Sequence, residues 1–296
     1  MRNREAWIPT TLNPKLDVNQ AWRRIRQDKQ TLAGILIVLA AILISLLAPW
    51  ISPYDPNAGD GALRLSPPGT PGHLLGLDDQ GRDILSRLIW GSRYSLLAAL
   101  LPITIAFVIS MWLGLMAGFV QGRIGELIMR ILDVLFAFPM ILFAIAIAAI
   151  LGPGVMTILV TITVALIPYM SRVVFASVKE EKGKEYIEAA RMLGASTTSI
   201  LFRELLPNVI SPLIVYATTL VGSMIVFSSG LSFLGLGIQP PDSDWGRMTG
   251  DGMKVLTQGA PHVATIPGLL IMLVSLGFNW LGDGLRDWLD PYKRMK

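Results

Sequence analysis

The sequence predicts an all-α integral membrane protein with six transmembrane helices and both termini in the cytoplasm. Three observations carry that expectation. Charged residues make up only 16% of the 296 positions, against about 25% in soluble domains. The apolar residues fall into six runs without a single Asp, Glu, Lys or Arg, each near the roughly 20 residues a helix needs to cross a bilayer. With the N-terminus inside, 19 of the 25 Lys and Arg fall on the inner side, which is the bias that orients membrane proteins. Mean hydropathy is +0.56. The runs have no polar face, so they do not read as amphipathic helices of a soluble bundle. In lipid each backbone group must be satisfied within its own segment, and helices do this.

Residues 1–30 form a cytoplasmic tail. Its "WRRIRQDK" (Trp22–Lys29) is either an interfacial anchor on the anionic lipid of the inner leaflet or ordinary positive-inside charge. The mostly polar residues that precede the first run do not resemble a cleavable signal peptide. Residues 31–94 hold the first span (Thr31–Ile51) and an external loop. Within that loop "GLDDQGRD" (76–83) lacks the closing glutamate of a calcium loop. Asp78 or Asp79 is expected to cap a short helix on the outer membrane surface. That helix would have Ile84, Leu85, Leu88 and Ile89 on one face and Arg82, Arg87 and Arg93 at its margins.

Residues 95–285 carry the other spans: Ser95–Gln121, Val134–Leu151, Val155–Ser171, Val209–Ile238 and His262–Gly282. Pro102, Pro139, Pro168, Pro212 and Pro267 interrupt them as hinges or as fixed kinks. Gly222, Ser223, Ser228, Ser229 and Gly230 suit close helix packing or a pathway wall. Asn279 is expected to bond across to another helix. Residues 286–296 form a cytoplasmic tail.

The internal loop 172–208 departs from the rest because it is charged and helix-forming. From about Ser177 to Leu193 it is rich in Glu, Lys and Ala. Ile187, Ala190 and Leu193, beside Tyr186 and Ala189, give it one apolar face. Gly194 stands where a helix ends in a left-handed residue. Ser196 or Thr197 can cap a second helix that carries Ile200, Leu201, Leu205 and Leu206, and Pro207 ends or kinks it. Such an elbow either packs under its own bundle or docks a cytoplasmic partner.

Several functions are excluded or disfavoured. The chain has no cysteine and only two distant histidines, His73 and His262, so no metal cluster or cofactor site is expected. The net charge of +4 follows the membrane and calls for no nucleic acid. No G-x-x-x-x-G-K-[ST] sequence is present to cradle ATP. The scattered serines do not converge into a catalytic set. An ion-coupled secondary transporter is the alternative, disfavoured because the spans carry no Asp, Glu, Lys or Arg.

Glu188-Ala189-Ala190, then Gly194, then Leu206-Pro207 resembles the EAA loop of ABC-importer permease subunits. "HLLGLDDQGRDILSRLIWGSRYSLL" (73–97), "LDVLFAFPMILFAIAI" (132–147), "LSFLGLGIQPPDSDWGRM" (231–248) and "NWLGDGLRDWLDP" (279–291) resemble the second permease subunit of the dipeptide, oligopeptide and nickel type. One departure is Glu204, where the pattern often has isoleucine. The resemblance implies a five-helix permease core with an added N-terminal helix, in the bacterial inner membrane. It implies a permease subunit of an ATP-driven importer that forms a pathway for peptides or a related small solute with a homologous permease. The implied further partners are two cytoplasmic ATPase subunits, which grip the loop at Glu188, Ala189, Ala190, Gly194, Leu206 and Pro207, and an external solute-binding protein. Asp242, Asp244 and Trp245 are then expected either to touch that binding protein or to form an interfacial turn.

Overall fold

The computed structural model describes residues 28–120 and 122–289. Most of the anchor at Trp22–Lys29 and the end of the C-terminal tail lie outside the described residues. Nine helices carry the described chain: α1 Lys29–Ile51, α2 Ile84–Phe119, α3 Arg123–Phe136, α4 Met140–Leu151, α5 Val155–Lys182 and α6 Glu185–Met192, then α7 Thr197–Phe233, α8 Trp245–Met253 and α9 His262–Leu289. Among the described residues the only extended pairing is three isolated bridges in the loop between α1 and α2.

Helices α1, α2, α5, α7 and α9 are each long and apolar enough to cross a bilayer, and α3 with α4 is together apolar enough but bent, as either a broken span or a re-entrant loop. The third run, expected over Val134–Leu151 with Pro139 as a hinge or fixed kink, is divided between α3 and α4. The pair bends by 86° at Pro139, which donates no N–H and disfavours helix at the residue before it. Helix α3 has three distinct faces. Gly125 and Leu132 point inward and are buried. Ile124, Leu127, Ile131 and Val134 form an exposed apolar stripe, and Arg123, Glu126, Arg130 and Asp133 a charged one. A helix patterned this way lies along an interface.

The short surface helix expected after Asp78 or Asp79 is also corrected. Asp83 is the cap, accepting from the Ser86 N–H at 2.7 Å, and the helix it starts continues as α2 through Pro102 to Phe119. Its first turns are packed inside, with Arg87 only 3% exposed. Four of the five marked prolines sit within continuous helices.

Small residues set the helix contacts, as they do in lipid, where burial alone gives no drive between helices. Gly114 and Gly118 of α2 lie against Val174 and Val178 of α5, so closely that a Cβ would overlap them. Gly34 of α1 meets Gly277 of α9, and Gly222 of α7 meets Asn279 of α9. Ser275 Oγ of α9 donates to the Gly222 carbonyl at 2.8 Å. Ile158, Ile162, Met170, Leu213 and Ile225 fill the centre with no exposure. Leu36, Leu46 and Trp50 of α1 face outward at 60%, 63% and 78% exposure, as lipid-facing residues would.

Candidate functional site

The loop between α5 and α7 folds into a braced elbow. The single helix expected from Ser177 to Leu193 is two helices, because the chain breaks at Gly183. Helix α6 is held to the bundle by Ile187, which is fully buried, and by Ala190, which packs on the core. Tyr186 ties three elements together. Its hydroxyl donates to Glu181 of α5 at 2.6 Å and accepts from Asn208 Nδ2 of α7 at 3.2 Å. Burial, then the bond to Glu181, pushes that hydroxyl up to about 12, so it stays protonated at neutral pH.

Gly194 ends α6 as expected, with φ +78°. The Ala195 N–H reaches the Ala190 carbonyl and the Gly194 N–H the Arg191 carbonyl, both at 3.0 Å. This pair of bonds satisfies carbonyls that a helix end would leave open. Ser196 then caps α7 through the Ser199 N–H at 3.2 Å.

Two features of the elbow differ from expectation. Leu193 was expected on one apolar face with Ile187 and Ala190. The reversal at Gly194 instead leaves Leu193 88% and Met192 90% exposed, an apolar tip. Pro207 does not end the second helix. A widened π turn over Ile200–Leu205 precedes it, the Leu206 N–H bonds to the Leu201 carbonyl, and α7 runs on. Glu188, Ala189 and Gly194 are exposed near the tip and Pro207 is exposed farther along α7, whereas Ala190 and Leu206 pack partly inward. Glu204 takes a half-buried place at the root of α7, where its carbonyl accepts from Asn208 at 2.7 Å. A cavity of about 600 Å3 opens beside the elbow, with Lys179, Lys182 and Arg191 at its rim.

The opposite end of the bundle places Asp244 and Trp245 inside the fold, 2% and 1% exposed. The Trp245 indole N–H donates to the Leu88 carbonyl at 2.9 Å. Ser95 Oγ donates to Asp244 Oδ1 at 2.6 Å and accepts from the Trp245 N–H at 3.1 Å. Asp244 also caps α8 through the Arg247 N–H at 3.1 Å. These two residues latch α8 onto α2 and are buried within the chain, where they were expected either to touch a binding protein or to form an interfacial turn. Only Asp242 of the three is partly exposed. Neither do Pro240 and Pro241 stop the preceding helix. Gly235, at φ +80°, does so with the same paired bonds seen at Gly194.

The residues around Asp78 form a second brace rather than an ion site. Asp78 Oδ1 accepts from the N–H groups of Gln80 and Arg82, each at 2.9 Å, and Oδ2 accepts from Arg82 Nε at 2.7 Å. Arg87 lies 3.4 Å from the same carboxylate and donates to the Pro56 carbonyl at 3.0 Å. Among the described residues no His, Cys, Asp and Glu group has the makings of a metal centre. Sequence reasoning missed the Met192–Leu193 tip, although two apolar residues just before a glycine in a charged loop are its signal. It also missed Ser95, which no local pattern distinguishes from other serines.

The chain resembles known proteins along almost its whole length. Residues 110–295 match the family described as binding-protein-dependent transport system inner membrane component, and residues 18–68 match the N-terminal transmembrane domain of oligopeptide transport permease C. It is 41% identical to a di/tripeptide transport system permease protein of Pseudomonas aeruginosa, over 98% of this chain and 97% of that one. It is 43% identical to a glutathione transport system permease protein of Pectobacterium atrosepticum, over 91% and 89%. A chain of the MetNI methionine ABC transporter, solved in inward-facing conformations, superposes with a TM-score of 0.56. That match has 20% identity and covers 69% of this chain and 97% of that one, so it speaks to fold alone.

Proposed function

The chain belongs to the family of binding-protein-dependent transport system inner membrane components, and from this premise we propose how it works within an importer. It is a multi-pass permease subunit of an ABC importer and not itself an enzyme. The ion-coupled alternative is set aside by that membership. We infer that the solute is a peptide or a peptide-like molecule, because the similar permeases carry di- and tripeptide and glutathione names.

The single observation that supports the coupling reading is the elbow tip. Two apolar side chains, about nine-tenths exposed, stand at the end of a turn braced on three helices. Water is a poor environment for them, and burying each against a partner would gain roughly 1.5–3 kcal/mol. The occupant proposed is a groove in a cytoplasmic ATPase subunit, with Glu188, Ala189 and Gly194 around the contact. Movement of that subunit would enter α5 through Tyr186 and Gly183 and α7 through Ser196. A homologous permease would complete the pathway, and an external binding protein would deliver solute on the Asp242 side. The charge bias supports an elbow on the cytoplasmic side, and the family supports a bacterial inner membrane.

Leu193→Asp tests this. The side chain meets nothing within the chain, so the permease should express and melt as the parent does, within about 0.5 kcal/mol. Co-purification of the ATPase subunits should fall by an order of magnitude or more, with uptake lost in parallel. Undiminished co-purification and uptake would refute the docking reading.

A further inference from the structure

A cavity of about 840 Å3 opens at the outer ends of α1 and α2. Its walls come from Tyr54 and Asp55 in the loop after α1, from Trp90, Arg93 and Tyr94 on one face of α2, and from Asp242. Its depth is fixed by two neighbours. Pro49, in the last turn of α1, lines one edge. Leu97, 50% exposed, lines another and begins the exposed apolar stripe that continues down α2 at Leu101, Ile105 and Val108. The cavity therefore sits where the apolar band meets water. That is the level at which tryptophan and tyrosine collect in membrane proteins.

The charges around this space do not close on one another. Among the described residues Arg93, Asp55 and Asp242 form no ion pair. The Arg93 guanidinium stands 5.5 Å from the centre of the Trp90 ring. The Asp55 carboxylate accepts from the Asn57 N–H, at 2.8 Å, and Asp242 lines the same space as Tyr94. A guanidinium and two carboxylates that line one open space without pairing, together with the rings of Trp90 and Tyr94, suit a molecule that carries both signs of charge. Carboxylates and ring faces hold an ammonium, and a guanidinium holds a phosphate or carboxylate.

We propose that this cavity binds a zwitterion, and that its occupant is the headgroup of phosphatidylethanolamine. The phosphate would lie on Arg93 and the ammonium between Asp242, Asp55 and the rings of Trp90 and Tyr94. The acyl chains would leave past Leu97 along the stripe of α2. A free zwitterionic solute presents the same two charges, but the depth of the cavity and its apolar exit favour the lipid. A primary ammonium can donate to both carboxylates, whereas the quaternary group of phosphatidylcholine cannot, and phosphatidylglycerol has no cation.

The test uses the transporter containing the full chain, in nanodiscs of equal parts phosphatidylethanolamine, phosphatidylcholine and phosphatidylglycerol. Lipid retained after mild extraction is read by native mass spectrometry. Phosphatidylethanolamine should be enriched by about tenfold over the other two, which corresponds to about 1.4 kcal/mol. Arg93→Gln and Asp242→Asn should each bring retention to the bulk ratio, and Arg93→Lys should keep part of the enrichment. Both positions are at least partly exposed, so folding is not at stake. Bulk-ratio retention in the parent, or enrichment unchanged in both variants, overturns the proposal. Calorimetric binding of alanylalanine that Arg93→Gln abolishes, without lipid enrichment, would overturn the headgroup assignment in favour of a solute. ATPase docking enters none of these readouts, so failure here leaves the coupling reading standing.

Discussion

Gly194 shows why one position in the elbow tolerates few residues. Nothing in the chain lies within 4 Å of where its Cβ would be, yet its φ is +78°. Bulk is therefore not the obstacle. The left-handed backbone is, at about 1–2 kcal/mol for a residue with a Cβ. Gly194→Val should loosen the tip and uncouple ATP hydrolysis from uptake in proteoliposomes, whereas Gly194→Asn, which adopts this conformation readily, should retain both. Equal uptake by the two variants would show that the backbone angle is unimportant. Asp244 gives a second residue-scale expectation. Burial raises its carboxyl above the usual range, while Ser95 and the Arg247 N–H oppose the shift. A raised carboxyl binds its proton more tightly in the folded state, so its contribution falls as pH rises from the unfolded value through the folded one. Asp244→Asn should remove that acid-range slope in detergent melts and keep the cap. Asp244→Ala should lose about 1 kcal/mol at neutral pH.

At the scale of elements, α6 works because it is short and tied down. An eight-residue helix is not stable alone, so its order comes from Ile187 below and Tyr186 at its side. Tyr186→Phe removes the hydroxyl that bridges Glu181 and Asn208. It should cost about 1 kcal/mol per bond locally and speed hydrogen exchange across residues 185–193. Uptake per ATP should fall while ATPase co-purification is kept, since the tip itself is unchanged. The same principle explains α3. Its charged, apolar and inward stripes recur with helical spacing and were legible in the residues. That this segment turns sharply before α4 depended on Pro139 in its packed setting, for the other marked prolines lie in helices that continue.

For the whole molecule, the distribution of Lys and Arg sets one orientation, and the absence of cysteine from the chain allows a clean test. Single cysteines at Leu193 and Asn57, both exposed, should label from opposite sides. A membrane-impermeant maleimide added to intact cells should modify Asn57→Cys and leave Leu193→Cys untouched until the cells are opened. Labelling of Leu193→Cys in intact cells would invert the topology and with it the side on which the elbow docks. The described bundle also differs at its two ends: braces at Trp245 and Asp78 hold one, and the other presents an apolar tip.

The sequence by itself determined the class of this protein, the apolar runs long enough to cross a bilayer and the charge bias between its sides. These follow from run length, the cost of charge in lipid and the tally of Lys and Arg, each additive along the chain. It also determined the helix–glycine–helix form of the elbow, since the Gly194 turn and the Ser196 cap depend on neighbours within a few residues. Only the tertiary structure decided which side chains face out. Leu193 shares an apolar pattern with Ile187 yet is bare, while Asp244, Trp245 and Arg87, read as turn and helix-margin residues, are buried. Their surroundings come from residues far away in sequence, such as Leu88 and Ser95 for Trp245. Helical spacing gives the face a residue occupies but not what another helix brings against that face.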